Sequence, residues 1–199
     1  MSDEETMAVY ARSAADYAAG FSQVKDTFHE ADYEAFVEGL PKGGTVLDLG
    51  CGPGHWAARF RDAGYRVAAV DASPEMAAYA KDAYGIEVSI AEFDDIAAEG
   101  VFDGIWAFFS LLHAPRDDFP GHLLRLGRAL VPGGRLTLGM KLGEGEGRDE
   151  LGRFYAYYSE EELRDLLGVL GYTVLGARRG NGKGLAGAEE TFVVLTAHV

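Results

Sequence analysis

Apolar positions along the chain fall into two rhythms. Over the first forty residues Val9, Ala14, Tyr17, Ala18 and Phe21 recur at near-helical spacing, and Phe28, Tyr33, Phe36 and Val37 repeat the pattern. Gly20-Phe21-Ser22 reads as a break between two helices, and Pro41-Lys42-Gly43-Gly44 as a closing turn. From Thr45 the rhythm changes: short apolar runs alternate with longer amphipathic segments. The runs predict strands over 45–49, 65–70, 86–90, 102–109, 135–140, 172–177 and 191–198. Between them, helices are expected over 54–63, from Ser73-Pro74-Glu75 onward, over 121–130, and from Ser159, where Glu162 completes a capping box. Val131-Pro132-Gly133-Gly134 reads as a stop. The run at 102–109 is dense enough for a strand covered on both faces.

Such alternation implies an α/β fold with a parallel sheet and right-handed crossovers, whose closing hairpin sets one strand antiparallel. One domain is expected over 1–199, with an N-terminal helical cap over 1–40 and an elaborated loop over 141–158.

Composition narrows the partners. The formal net charge is −14, with 32 acidic against 18 basic side chains. A nucleic-acid reader needs a basic footprint, and the densest basic group, Arg178, Arg179 and Lys183, sits in what looks like a Gly-rich hairpin. No nucleic-acid partner is expected. The single cysteine, Cys51, can form no internal disulfide, which fits a reducing, cytoplasmic setting. The first ten residues lack the basic and apolar regions of a signal peptide, and no apolar run approaches the ~20 residues of a membrane span.

The chemistry concentrates where the first strand turns into its helix, at Leu47-Asp48-Leu49-Gly50-Cys51-Gly52-Pro53-Gly54. Glycines at 50, 52 and 54 let a ligand lie against the backbone, and the helix start offers unpaired amides. Asp71, about twenty residues on, can accept both hydroxyls of a ribose. A dinucleotide fingerprint would place its third glycine at position 55, where this chain has His55. Asp48 suits an ammonium group and would sit poorly beside a pyrophosphate.

These residues resemble a known family. VLDLGCGPGHWA and VAAVDASPEMAAYA are similar to the first two motifs of the class I S-adenosylmethionine-dependent methyltransferases. FDGIWAFFSLLHAP followed by LGRALVPGGRLTLGMK is similar to their fourth-strand, helix and fifth-strand signature. The resemblance implies a three-layer Rossmann-like fold around a seven-stranded sheet, and S-adenosylmethionine as cofactor with S-adenosylhomocysteine as product. Carried over by position, Gly50, Cys51, Gly52 and Gly54 would line the methionine portion, with Asp48 near its ammonium. Asp71 would hold the ribose. Ala72, Met76 and Phe93 would enclose the adenine, and Ala107 and Phe108 would sit by the sulfonium. Tyr10 and Tyr17 match tyrosines that reach the cofactor from an N-terminal helix, and core packing stays open for both. The string through LLHAPRDDFPGHLL is similar to small bacterial enzymes named after tellurite-resistance methyltransferases, which implies a small-molecule acceptor.

Methyl transfer needs alignment, desolvation and, for a hydroxyl or amine, a proton acceptor. His113, just past the fourth strand, is the candidate base, or else it caps its loop. Lys141, Arg153, Tyr155 and Tyr157 flank the expected loop and could bind an anionic or aromatic acceptor, or simply pack there. Phe108-Phe109-Ser110-Leu111 lacks the Pro-Pro-aromatic cluster of enzymes that methylate exocyclic base amines, and no metal site is expected. An S-adenosylmethionine-binding protein without catalysis and a nicotinamide oxidoreductase remain the alternatives. A lid formed by the N-terminal helices and the 141–158 loop is a further expectation.

Overall fold

The computed structural model describes residues 3–21 and 29–199, with side chains excepted over 14–21. Ser22 and Phe28 lie outside the described residues, as does the Tyr17 side chain. Nine strands are described: β1 (Thr45–Leu49), β2 (Arg66–Asp71), β3 (Val88–Ile90), β4 (Phe102–Phe108), β5 (Leu130–Lys141), β6 (Glu146–Arg148), β7 (Phe154–Ala156), β8 (Thr173–Lys183) and β9 (Glu189–His198). The helices are α1 (Glu4–Phe21), α2 (Glu30–Val37), α3 (His55–Asp62), α4 (Pro74–Tyr84), α5 (Phe119–Ala129) and α6 (Glu160–Val169).

Among the described residues, seven strands form one sheet in the order β3-β2-β1-β4-β5-β9-β8. All neighbours up to β5 pair in parallel, and β9 runs antiparallel between β5 and β8. The strand order reverses between β1 and β4, so the crevice beyond their carboxyl ends is the switch point where such sheets bind ligands.

Local chemistry fixes the helix ends. Ser73 caps α4 by accepting from the Met76 amide at 3.2 Å, with Pro74 in the first turn, and Gly85 ends it at φ 67. The expected capping box opens α6, Ser159 accepting from the Glu162 amide and Glu162 accepting from that of Ser159.

The sheet is buried on both faces. One carries Leu47, Leu49, Ile105, Leu136 and Leu138 against Leu123 and Leu126 of α5 and Leu163 and Leu167 of α6. The other is aromatic, with Tyr33 and Phe36 of α2 packed on Trp56, Phe60 and Trp106. Fully burying each such side chain contributes about 1.5–3 kcal/mol. The two N-terminal helices therefore serve different ends: α2 is core, while the start of α1 is tied to the β6–β7 hairpin. Arg148 donates to Asp3 at 2.7 Å, and the Phe154 amide donates to Thr6 Oγ1 at 2.8 Å.

Three expectations need correction. Val131-Pro132-Gly133-Gly134 does not precede the fifth strand but lies within it. Leu130 already pairs with Phe102, and the register jumps so that Arg135 pairs with Gly104, the intervening residues looping out as a bulge. The 141–158 segment is not only loop, for β6 and β7 form a small antiparallel sheet there. Its glycines hide the strand signal, and the buried Tyr155 and Ala156 supply the driving force. Finally, Arg178, Arg179 and Lys183 do lie in a hairpin, but in its strand β8, which runs on past residue 177 to Lys183, rather than in its connection. Arg178 is paired with Asp32, and Arg179 with Glu160 at 2.6 Å.

Candidate active site

The turn after β1 is held open by backbone geometry. Gly50 and Gly52 adopt φ 67 and 52, values that side chains disfavour, and a Cβ on Gly50 would strike the Ser110 side chain. The Gly50 and Cys51 amides both donate to the Val70 carbonyl, at 2.8 and 3.0 Å. Asp71, at the end of β2, locks the turn from the other side: it accepts from the Gly52 amide at 2.7 Å and the Ser73 amide at 2.8 Å. Burial nonetheless raises its pKa, against those hydrogen bonds.

Asp48 is 2% exposed and its Oδ2 has no hydrogen-bond partner. Burial pushes its pKa up to about 8, the Asp71 charge adding to the shift and a backbone hydrogen bond from Ala57 opposing it. The one unsatisfied oxygen of this buried carboxyl leaves room for a hydrogen-bond donor. An ammonium at this end of the turn supplies one, and a pyrophosphate would not. Cys51 is inert, its thiol raised by burial.

Two cavities open at this edge of the sheet. The first has Asp71, Ala72, Met76 and Phe93 in its wall, with Asp94 and His122 beyond them. The second, about 310 Å³, is walled by the aromatic side chains of Trp56, Phe108, Phe109, Tyr155 and Phe192, together with His29 and the charged Lys141, Arg153 and Glu190. Tyr10, Gly50, Gly52, Phe108, Phe109 and His113 border both cavities. Asp48 and Cys51 border the second.

His113 sits at this junction. Its Nδ1–H donates to the Phe154 carbonyl at 2.6 Å, which leaves Nε2 to accept from the Tyr10 hydroxyl at 2.8 Å. Arg153 Nη1 donates in turn to the Tyr10 oxygen at 3.2 Å and is anchored by Asp149 at 2.6 Å. Burial pulls the His113 pKa down to about 4, the hydrogen bond to Phe154 opposing the shift and the charges of Arg153 and Lys141 adding to it. Lys141 pairs with Glu190 at 2.7 Å and lies 3.4 Å from the centre of the Tyr155 ring. Burial lowers its pKa against the Glu190 pairing.

The other anticipated residues lie elsewhere. Gly54, at φ 82, borders neither cavity, and a Cβ there would come within 2.7 Å of Ala80. Ala107 is fully buried in the core beneath the crevice. Tyr157 stacks obliquely on Tyr155 at 6.0 Å, away from both cavities. Three residues were not anticipated from the sequence: His29, Phe109 and Phe192, whose rings meet at 5.3–5.9 Å. They come from segments far apart in the chain, so no local pattern announces them. Among the described residues no cluster of His, Cys, Asp or Glu is arranged to hold a metal, and no helix is long and apolar enough to cross a membrane.

Comparison with known proteins agrees with this geometry. A methyltransferase-domain family model matches residues 46–134. An uncharacterized methyltransferase of Staphylococcus carnosus is 24% identical over 81% of this chain and 79% of its own length. A ubiquinone biosynthesis O-methyltransferase of Xanthomonas oryzae is 35% identical over 48% of this chain, which spans only 42% of that enzyme. The crystal structure of Burkholderia thailandensis 1,6-didemethyltoxoflavin-N1-methyltransferase, with 1,6-didemethyltoxoflavin and S-adenosylhomocysteine bound, superposes with a TM-score of 0.70 at 25% identity, covering 100% of this chain and 90% of that one. A methyltransferase of Methanosarcina mazei reaches 0.73 at 19% identity over 83% of this chain and 97% of its own. Its reversed strand order, its glycine cradle beside a buried carboxyl with one unsatisfied oxygen, and these likenesses give the chain a methyltransferase domain over residues 46–134, similar in fold and in cofactor-site layout to the class I S-adenosylmethionine-dependent methyltransferases.

Proposed function

We propose that the protein moves a methyl group from S-adenosylmethionine to a small planar aromatic molecule bearing a hydroxyl or a ring N–H, and that it works in the cytoplasm without a nucleic-acid partner. The observation that carries this is the meeting of two cavities of different character at Tyr10, Gly50, Gly52, Phe108, Phe109 and His113. The aromatic walls of the second cavity support a flat acceptor. So do the names of two relatives, one an O-methyltransferase of ubiquinone biosynthesis and one an N-methyltransferase of didemethyltoxoflavin.

In this scheme Asp71 holds the ribose hydroxyls, Asp48 faces the ammonium, and Ala72, Met76 and Phe93 enclose the adenine. When bound, S-adenosylmethionine supplies a methyl on a positively charged sulfur, which leaves as a neutral thioether while the acceptor atom bonds to carbon. The chain's own residues then align the partners, exclude water and take up the acceptor's proton. The Tyr10 oxygen receives that proton as its own passes to His113 Nε2, which points at it with the correct lone pair. With its pKa pulled down to about 4, His113 is neutral throughout the neutral range and its Nε2 lone pair is available, yet it is a weak base, so this relay suits an acceptor whose own O–H or N–H is acidic. Lys141 and Arg153, each held by a carboxylate, bring N–H donors to the cavity wall that can hydrogen-bond an acceptor losing a proton.

Calorimetry with S-adenosylhomocysteine, and radiolabelled methyl transfer to 4-hydroxybenzoate and to simple pyrimidinediones, test this. Binding in the micromolar range with transfer to at least one aromatic probe is expected. Absence of S-adenosylhomocysteine binding would overturn the proposal.

A further inference from the structure

Phe109 holds a backbone conformation that its residue type disfavours. Among the described residues it is the only non-glycine with a positive φ, at 57°. A bulky residue persists there only where its surroundings over-determine it, and such positions cluster at functional sites. The ring packs on the edge of the core without being enclosed by it. β4 has already ended at Phe108, and Phe109 is only partly buried, at the border of both cavities.

The surroundings do hold it in place. The Phe109 amide donates to the Gly139 carbonyl at 3.1 Å. Gly139 also makes room, since a Cβ there would come within 3.1 Å of the Phe109 nitrogen and 3.4 Å of its Cδ2. Phe108 at 4.6 Å and Phe192 at 5.3 Å meet the ring edge-on, and His29 at 5.9 Å closes a third side. His29 is itself fixed by Asp32 at 2.9 Å. Three sides of the ring are thus packed, while the residue still borders the open space of the acceptor cavity.

Resting on the acceptor class proposed above, we infer that Phe109 is the specificity-determining residue of the acceptor cavity. Its ring is the platform on which the acceptor's ring lies, and its strained placement sets how wide a ring system can reach the junction at His113. The left-handed backbone turns the side chain out of the line of β4 and across the cavity. Phe108, Phe192 and His29 keep it from swinging away.

The test uses 1-naphthol and 9-phenanthrol as two- and three-ring probes. Their binding is measured at saturating S-adenosylhomocysteine, so that any change in cofactor affinity drops out. Wild type should prefer 1-naphthol. Phe109→Gly, which removes platform and strain together, should weaken 1-naphthol at least fivefold and reverse the preference. Phe109→Leu, which fills space without an aromatic face, should weaken both probes without reversing it. Phe109→Gly should also melt higher than Phe109→Ala, since the two differ chiefly in tolerance of a positive φ. An unchanged preference in Phe109→Gly, an equal shift of both probes in both variants, or a wild type that binds S-adenosylhomocysteine but neither probe would overturn the inference. A wild type that fails to bind S-adenosylhomocysteine would overturn the proposed function and this inference together.

Discussion

The two cavities are built by opposite means. The cofactor side is built mainly on one stretch of chain, β1 through α4, with Phe93 closing it from beyond β3, and is made largely of backbone: left-handed glycines, amides donating to Val70 and Asp71, and a capped helix. The acceptor side gathers Tyr10, His29, His113, Arg153, Tyr155 and Phe192 from five separated places and is held by side chains. Backbone cradles tolerate most substitutions outside their glycines, because amides do not depend on side-chain identity. A side-chain assembly is adjustable, but each member leans on another, so single changes propagate. The difference suits an enzyme with a constant cofactor and a particular acceptor.

That contrast can be broken most sharply at Arg153. It is 2% exposed, paired with Asp149, and bonded to Tyr10. Removing one partner of a buried ion pair costs about 3–5 kcal/mol, so Arg153→Ala should lower stability by that order in a denaturant titration. A loss below about 1 kcal/mol, typical of exposed pairs, would mean that the acceptor side does not depend on this pair.

His113 gives the next largest effect. Its folded pKa lies near 4 against 6.5 for the free ring. Above pH 6.5 the ring is neutral in both states, whereas between 6.5 and about 4 only the unfolded chain takes up the proton. Stability therefore falls as pH drops through that window, by about 3 kcal/mol from this group. His113→Asn, which can still donate to the Phe154 carbonyl, should shed that share of the acid sensitivity. Parallel stability-against-pH curves for the two proteins would show that the histidine is not buried neutral.

On the cofactor side, Asp71→Ala should weaken S-adenosylhomocysteine by about 1.5–3 kcal/mol through lost charge-assisted hydrogen bonds. Calorimetry showing unchanged affinity would remove Asp71 from the site. The smallest effect is the most diagnostic. Because burial holds the Asp48 pKa near 8, binding an ammonium requires ionising it first. Affinity for S-adenosylhomocysteine should then rise with pH between 6 and 8, by at most about 1.4 kcal/mol per pH unit. Asp48→Asn should bind more weakly and without that slope. A wild-type affinity that is flat over the same range would exclude Asp48 as the ammonium's partner.

Much of this molecule is legible in its sequence. The alternation of apolar runs and amphipathic segments, the Ser73-Pro74 start, the Ser159–Glu162 box and the Gly50–Gly54 turn each record a local physical demand, such as a buried strand, an unpaired amide or a positive φ. Local demands leave local signatures. The same holds for Asp48 and Asp71, which stand at fixed offsets from the strand ends that place them.

What the sequence did not carry is whatever depends on how distant segments meet. β6 is mostly glycine and charge, so only its pairing with Phe154-Tyr155-Ala156, of which Tyr155 and Ala156 are buried, makes it a strand. The bulge at 131–134 exists because Leu130 and Arg135 must both pair with β4. Gly54 and Ala107 look like ligand contacts by position, yet packing turns one toward Ala80 and the other into the core. His113, named from the sequence, acquires its tautomer and depressed pKa only when α1 and β7 close on it. The Phe109, Phe192 and His29 cluster has no sequence signal, because contacts between segments so far apart in the chain leave no periodicity to read. Local propensity wrote the cofactor cradle, and long-range burial alone wrote the acceptor cavity.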